Sequence, residues 1–175
     1  QVSSGGTPSR KHPAYFGGEI PWVKTTEVRD DIIFTTEETL TTEGLNQSSA
    51  RIYPVGSLIV AMYGQGATRG RTAKLGIASA TNQACAVLTE FHETIKPDFL
   101  WYYLMSEYDD LRALASGNNQ PNLNAAMIAN YPVPIPPISV QREIIQLMQS
   151  GRAAAARLKD HAAQIRKLRE AEIEA

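Results

Sequence analysis

The chain has one cysteine, Cys85, and three scattered histidines. That composition excludes an internal disulfide and a four-ligand structural zinc site, and it fits a reducing, intracellular setting, with the cytoplasm expected. It has no apolar run of about eighteen residues and no basic-then-apolar leader, so neither a membrane-spanning helix nor export is expected. There is no charge excess either: 17 Lys+Arg stand against 18 Asp+Glu, a net charge of −1. A protein that coats nucleic acid by bulk positive charge is thereby excluded, although a local basic face is not. His-Glu-x-x-His, Gly-x-Ser-x-Gly and clustered carboxylate pairs are missing, and no catalytic constellation emerges. What is present, in 175 residues with 43% hydrophobic and 20% charged side chains, is enough for a packed core in one domain with an appended element. The chain opens on Gln1 and ends at Ala175 within a helical pattern, and it reads as a piece of something longer.

The near-neutral total hides an uneven distribution. From Gly44 to Thr89 there is no Asp or Glu, only Arg51, Arg69, Arg71 and Lys74, whereas residues 90–110 hold six acids against Lys96. The first 137 residues read as short strands broken by Gly and Pro, at Ile20–Val23, Ile32–Phe34, Ser57–Tyr63, Leu75–Ser79, Cys85–Thr89 and Val133–Ile135. A short helix is expected from Thr42 to Ala50. One amphipathic helix is expected from Asp98 to Ala115, where Leu100, Leu104, Leu111 and Ala115 share a face. The fold class is therefore α+β: a small mixed-sheet domain with flanking helices over residues 1–137, then a long helix over 138–175.

Pro132, Pro134, Pro136 and Pro137 mark the boundary, because no helix crosses such a run. Beyond them, with Ser139 as the expected cap, Val140 to Ala175 contains no Pro and supports a helix of about 54 Å at about 1.5 Å per residue. Leu147, Gly151, Ala154, Leu158, His161, Ile165, Leu168 and Glu172 recur at steps of three and four, the spacing of a coiled-coil seam. Leu147, Ala154, Leu158, Ile165 and Leu168 are its interface candidates. Charged residues leave only a narrow apolar stripe, which favours a projecting helix that seeks a partner.

Three segments carry chemistry. Gly64–Gly76, GQGATRGRTAKLG, holds four glycines and three bases between strand-like runs. Its glycines lack the offsets of a nucleotide-binding loop and it leads into a strand, so a β-hairpin tip presenting Arg69, Arg71 and Lys74 to a polyanion is the better reading. Pro8–Lys24 places Arg10, Lys11 and Lys24 as phosphate candidates among Tyr15, Phe16 and Trp22, aromatics better suited to a core than to base stacking. Ser116–Asn124, SGNNQPNLN, carries five amides. Asn118, Asn119 and Gln120 are candidates for base edges, since an amide pairs its donor and acceptor with adenine's major-groove edge; Asn122 and Asn124 fit helix caps. Cys85, within an apolar strand and without a nearby His, reads as a small buried hydrophobe.

Gly5–Lys24, Gly66–Ala86, the Phe99–Leu104 aromatic helix start, Gly117–Asn124 and Pro132–Ile145 resemble, in order and over nearly the whole chain, a target recognition domain of a type I restriction-modification specificity subunit. The Gly-Gly-Thr-Pro opening and the proline-rich exit into a Gln-Arg-Glu helix are specific in combination. The resemblance implies a recognition subunit without catalytic activity, metal or cofactor of its own, serving phage defence. It implies two such domains in a full-length member, each reading one half of a split site in double-stranded DNA, held apart by helices. It also implies methyltransferase subunits that use S-adenosylmethionine on adenine, and restriction subunits that use ATP and Mg2+. With one domain and one helix, this chain is either a fragment of a two-domain subunit or a half-subunit that pairs through its helix. The rival from the residues alone is a protein-interaction scaffold that dimerises through the same helix.

Overall fold

The computed structural model describes residues 1–64, 66–116 and 122–174, with all their side chains except those of residues 116, 168 and 171–174. The chain divides into two compact units, Gln1–Ile135 and Pro136–Ala175. Among the described residues, eight strands run through the first: β1 Val2–Ser4, β2 Phe16–Val23, β3 Asp31–Ile33, β4 Glu38–Leu40, β5 Leu58–Ala61, β6 Thr72–Leu75, β7 Ala80–Thr81 and β8 Cys85–Leu88. They form two mixed sheets, ordered β1-β8-β5-β6-β3 and β4-β2-β7. In the larger sheet every neighbouring pair is antiparallel except β3 with β6; in the smaller, β2 runs antiparallel to β4 and parallel to β7.

Sequence explains the centre of the larger sheet directly. All four residues of β5 and all four of β8 are buried, and a strand covered on both faces reads as an unbroken apolar run. Ile59, Ala61, Ala73, Leu75, Cys85 and Val87 join Val23, Val28, Ile33 and Tyr53 in one core cluster. A second cluster holds Trp22, Leu40, Ala50 and Ala80, with Phe16 against it. Burial pushes the Cys85 thiol far above its ordinary pKa, so it is a packing group and not a nucleophile.

Glycine pairs set two close approaches. Gly5 and Gly6 donate their amides to Cys85 O and Thr81 O, and the Trp22 indole donates to Gly6 O at 3.1 Å. A Cβ on Gly5 would collide with backbone oxygens of Thr81 and Asn82, and one on Gly6 with the backbone of Ser49 and Ala50. In β2, Gly17 and Gly18 sit in a bulge between the two pairings that Phe16 and Ile20 both make with Leu40; Gly17 has φ +82° and a Cβ on Gly18 would strike Leu40 O.

The helices of this unit are α1 Thr42–Asn46, α2 Pro97–Ser106, α3 Tyr108–Ser116 and α4 Ala125–Ala129, with 3-10 turns at Pro13–Tyr15 and Thr25–Glu27. Thr41 caps α1 and Asn124 caps α4 by accepting from the amides of Gly44 and Met127. The single helix expected over 98–115 is two. Glu107 leaves helical geometry at ψ 16°, and its carboxylate accepts the Tyr131 hydroxyl. The apolar spacing continues through the break, which is why it does not register in the pattern. Leu75–Ser79 is also corrected: β6 ends at Leu75, and the strand lies upstream where Lys74 interrupts the apolar run. Val133–Ile135 forms no strand, its alternating prolines lacking the amides that a ladder needs.

The second unit is α5, Ile138–Glu174, 37 residues or about 55 Å long. Ser139 is not its cap. The helix starts directly after Pro137, whose carbonyl accepts the Gln141 amide, while the buried Gln141 side chain donates to Pro136 O at 2.8 Å. No helix among the described residues is long and apolar enough to cross a membrane.

Candidate nucleic-acid interface

The glycine-rich segment is the β5–β6 connection, and helix α3 holds it. Tyr108, the first residue of α3, donates its hydroxyl to Ala67 O at 2.8 Å. One turn on, Arg112 Nη1 donates to Gly66 O at 3.0 Å and Arg69 O at 2.9 Å. The Tyr108 ring lies near two guanidiniums, Arg71 at 4.7 Å and Arg112 at 5.2 Å from its centroid. Gly70 has φ +86°, and a Cβ there would press on Tyr108 O and Arg112 Cγ. Gly64 and Gly66 also take positive φ. The glycines thus let the loop lie against α3.

Arg71 is fixed on its other side by Asp30, which takes the left-handed φ of 59°. The Asp30 carboxylate accepts from Arg71 Nη1, from the Thr72 amide at 2.9 Å and from the Thr72 hydroxyl at 3.1 Å. The Trp101 indole donates to that hydroxyl at 3.1 Å, so α2, β6 and the 25–30 segment meet at Thr72. Asp30 raises the Arg71 pKa, chiefly through this hydrogen bond. Lys74, on β6, pairs with Asp98 at the start of α2.

The acid-free stretch therefore does not build an uncompensated positive face: the fold brings Asp30 to Arg71 and Asp98 to Lys74. A similar arrangement governs the first segment. Arg10 pairs with Glu38 at 2.6 Å, and Lys24 with Glu38 at 2.8 Å and Glu37 at 3.0 Å. The Arg10 guanidinium also covers the rings of Phe16 and Trp22 at 4.4 and 5.1 Å. Hydrogen bonds from Arg10 and then Lys24 lower the Glu38 pKa to about 2, and Glu38 and Glu37 raise that of Lys24. Because Glu38 has a depressed folded pKa, its contribution to stability is present above the ordinary carboxylate range and fades as pH falls towards 2. Lys11 is exposed and makes no ion pair among the described residues.

Of the sequence-expected cations, Arg10 and Lys24 meet at the smaller sheet, and Arg69 and Arg71 lie in the β5–β6 connection; Lys74 is not at that hairpin tip but within β6, opposite Leu58 at the start of β5. Asn118, Asn119 and Gln120 lie outside the described residues. In α5, Leu147, Leu158 and Ile165 are 73%, 69% and 57% exposed, and Ala154 is exposed too; the Leu168 side chain lies outside the described part. Missed from sequence were Asp30, Tyr108 and Arg112. The available signal was weak: two residues at a helix start, four apart, and an Asp preceding a short strand. Among the described residues no three His, Cys, Asp or Glu side chains group as a metal site.

A family model of the type I restriction modification DNA specificity domain matches residues 1–167. The chain belongs to this family. The specificity domain here is 26% identical over 158 residues to the type I restriction enzyme MjaIX specificity subunit of Methanocaldococcus jannaschii, covering 85% of this chain and 34% of that protein. It is 21% identical over 148 residues to the EcoR124I/EcoR124II specificity subunit of Escherichia coli, covering 82% and 36%. The chain spans about a third of the length of these relatives. Among solved structures, the HsdS subunit from Thermoanaerobacter tengcongensis shares the fold at TM-score 0.65 and 18% identity, over 91% of this chain and 36% of that one. A chain from a structure of type I R-M system assembly and conformational transition does so at TM-score 0.71 and 19% identity, over 94% and 38%. The specificity domain is thus an α+β unit of mixed sheets followed by a long helix.

Proposed function

We propose that this chain recognises a specific sequence in double-stranded DNA as part of a type I specificity subunit, and directs adenine methylation and restriction that partner subunits perform. The observation that carries this reading is the match of a DNA specificity domain to residues 1–167. Residues 1–137 form the recognition domain and 138–175 the spacer helix. Recognition and not catalysis is the part of this chain; S-adenosylmethionine, ATP and Mg2+ serve the methyltransferase and restriction subunits, in the cytoplasm. Lys11 and Arg69 meet backbone phosphates, Arg71 does so from the side of its guanidinium that Asp30 leaves, and Arg10, Lys24 and Lys74 reach a phosphate only by exchanging their carboxylate partners. Asn118, Asn119 and Gln120 face base edges. Mapping methylated adenines in the genome that encodes the chain should reveal a split motif that disappears with the gene; an unchanged methylation map, together with no duplex binding at low salt, would return the chain to the scaffold class.

The spacer helix pairs with a second recognition domain's helix, or with a second copy, along Leu147, Ala154, Leu158, Ile165 and Leu168. Exposed leucines and isoleucine on a helix that otherwise shows charge support this seam. Sedimentation of the full chain should show Leu158→Asp weakening helix pairing by about tenfold or more, and an unaltered association constant removes Leu158 from the seam.

A further inference from the structure

Between the 26–29 segment and the 67–71 loop lies an open cleft of about 500 Å3, lined by Thr26, Val28, Arg29, Ala67, Thr68 and Arg71. Among the described residues its lining contains two guanidiniums and two hydroxyls and no carboxylate. Arg29 Nε is tied to Thr26 O at 2.8 Å; Arg71 Nε donates to Ala67 O at 3.3 Å and Nη1 to Asp30. Among the described residues, neither terminal nitrogen of Arg29 has a hydrogen-bond acceptor, while Arg71 is held by Asp30 and by Tyr108.

The nearby acids already hold donors, Asp31 among them through the Ile32 amide. Asp30 receives Arg71 and both donors of Thr72. Arg29 also borders a neighbouring cleft containing Glu27 and Glu37. Glu27 accepts the amides of Lys24 and Glu37, and Glu37 pairs with Lys24. Both cleft walls are fixed in advance, one by the Asp30 amide on Thr72 O at 2.7 Å and the other by Tyr108 and Arg112. Donors held in place lose little freedom when an anion arrives, and guanidiniums match phosphate oxygens in pairs.

We infer that this cleft is a phosphate seat, with Arg29 as its principal cation, the guanidinium of Arg71 opposite, and Thr26 and Thr68 as hydroxyl donors. The inference rests on the proposed DNA function for its ligand, a backbone phosphodiester, while the chemistry would also accept a free phosphate. The test measures duplex affinity against salt for the full chain, alone and assembled with a methyltransferase subunit. Arg29→Ala should reduce the salt slope by about one and weaken cognate and scrambled duplex alike, by roughly tenfold at low salt, with melting temperature unchanged. Arg29→Lys should keep the slope, because the charge remains. If wild type binds duplex and Arg29→Ala leaves the slope intact, the seat is overturned and DNA recognition stands. If wild type binds no duplex in either form, the DNA reading fails, and titration of the full chain with inorganic pyrophosphate decides. Saturable NMR shifts of the Arg29 and Arg71 Nε–H signals, lost in Arg29→Ala, retain a seat for free phosphate; their absence overturns it.

Discussion

Trp101→Ala is expected to remove about 3–5 kcal/mol of stability, a large share of the about 5–15 kcal/mol that ordinarily holds a domain folded. Trp101 is 2% exposed, its ring stacks beside Tyr102 at 5.3 Å, and its indole nitrogen is bound to Thr72 Oγ1. Truncation leaves a cavity between α2 and β6 and deprives a buried hydroxyl of its donor, two costs that the surroundings do not share elsewhere. Trp101→Phe fills most of the volume but leaves that hydroxyl short of a partner, so an intermediate loss is expected. Urea unfolding followed by circular dichroism measures both; a loss below about 1 kcal/mol for Trp101→Ala would show that α2 is not anchored through this side chain.

Asp30→Ala is the second large effect, expected at about 2–4 kcal/mol, since hydrogen bonds to a charged acceptor contribute about 1.5–3 kcal/mol each and are not additive. The side chain receives three donors, and alanine supplies none. Alanine also inherits the left-handed backbone at φ 59°, a conformation that Asp tolerates better. Asp30→Asn keeps acceptors for Thr72 and loses the charge facing Arg71, so it should retain about half the stability at stake. Asp30→Gly relieves the backbone alone. Equal urea midpoints for the Ala and Asn variants would mean that the Thr72 bonds contribute nothing, contrary to the geometry.

What the sequence discloses here depends on the range of the interaction. β5 and β8 are legible because four consecutive buried residues leave a local signature, and Asn124 is legible as a cap because capping spans only three residues. β4 and β7 hold three and two residues; such strands exist only through their pairing with β2, which no local pattern records. The charge pattern fails for the same reason. Arg71 and Lys74 lie in a stretch without acids, yet their partners Asp30 and Asp98 come from 41 and 24 residues away. Of the cleft proposed as a phosphate seat, sequence exposes the loop wall through its glycines and arginines. Arg29 gives no such sign, because its place opposite Arg71 follows from the reversal of the chain at Asp30.

The Gly5–Gly6 crossing and the β1–β8 pairing also fix an order of events during synthesis. β1 precedes the other described strands, but Val2 pairs with Leu88, so β1 remains without its ladder until β8 has been translated. The antiparallel pairs β2–β4 and then β5–β6 have their partners earlier. Because β1 and the two glycines close the sheet over such a long chain separation, this edge carries a larger loop-closure cost than the shorter-range pairings. Until Leu88 emerges from the ribosome, the nascent chain carries an open β5 edge, which β8 then covers while presenting its own other edge to β1.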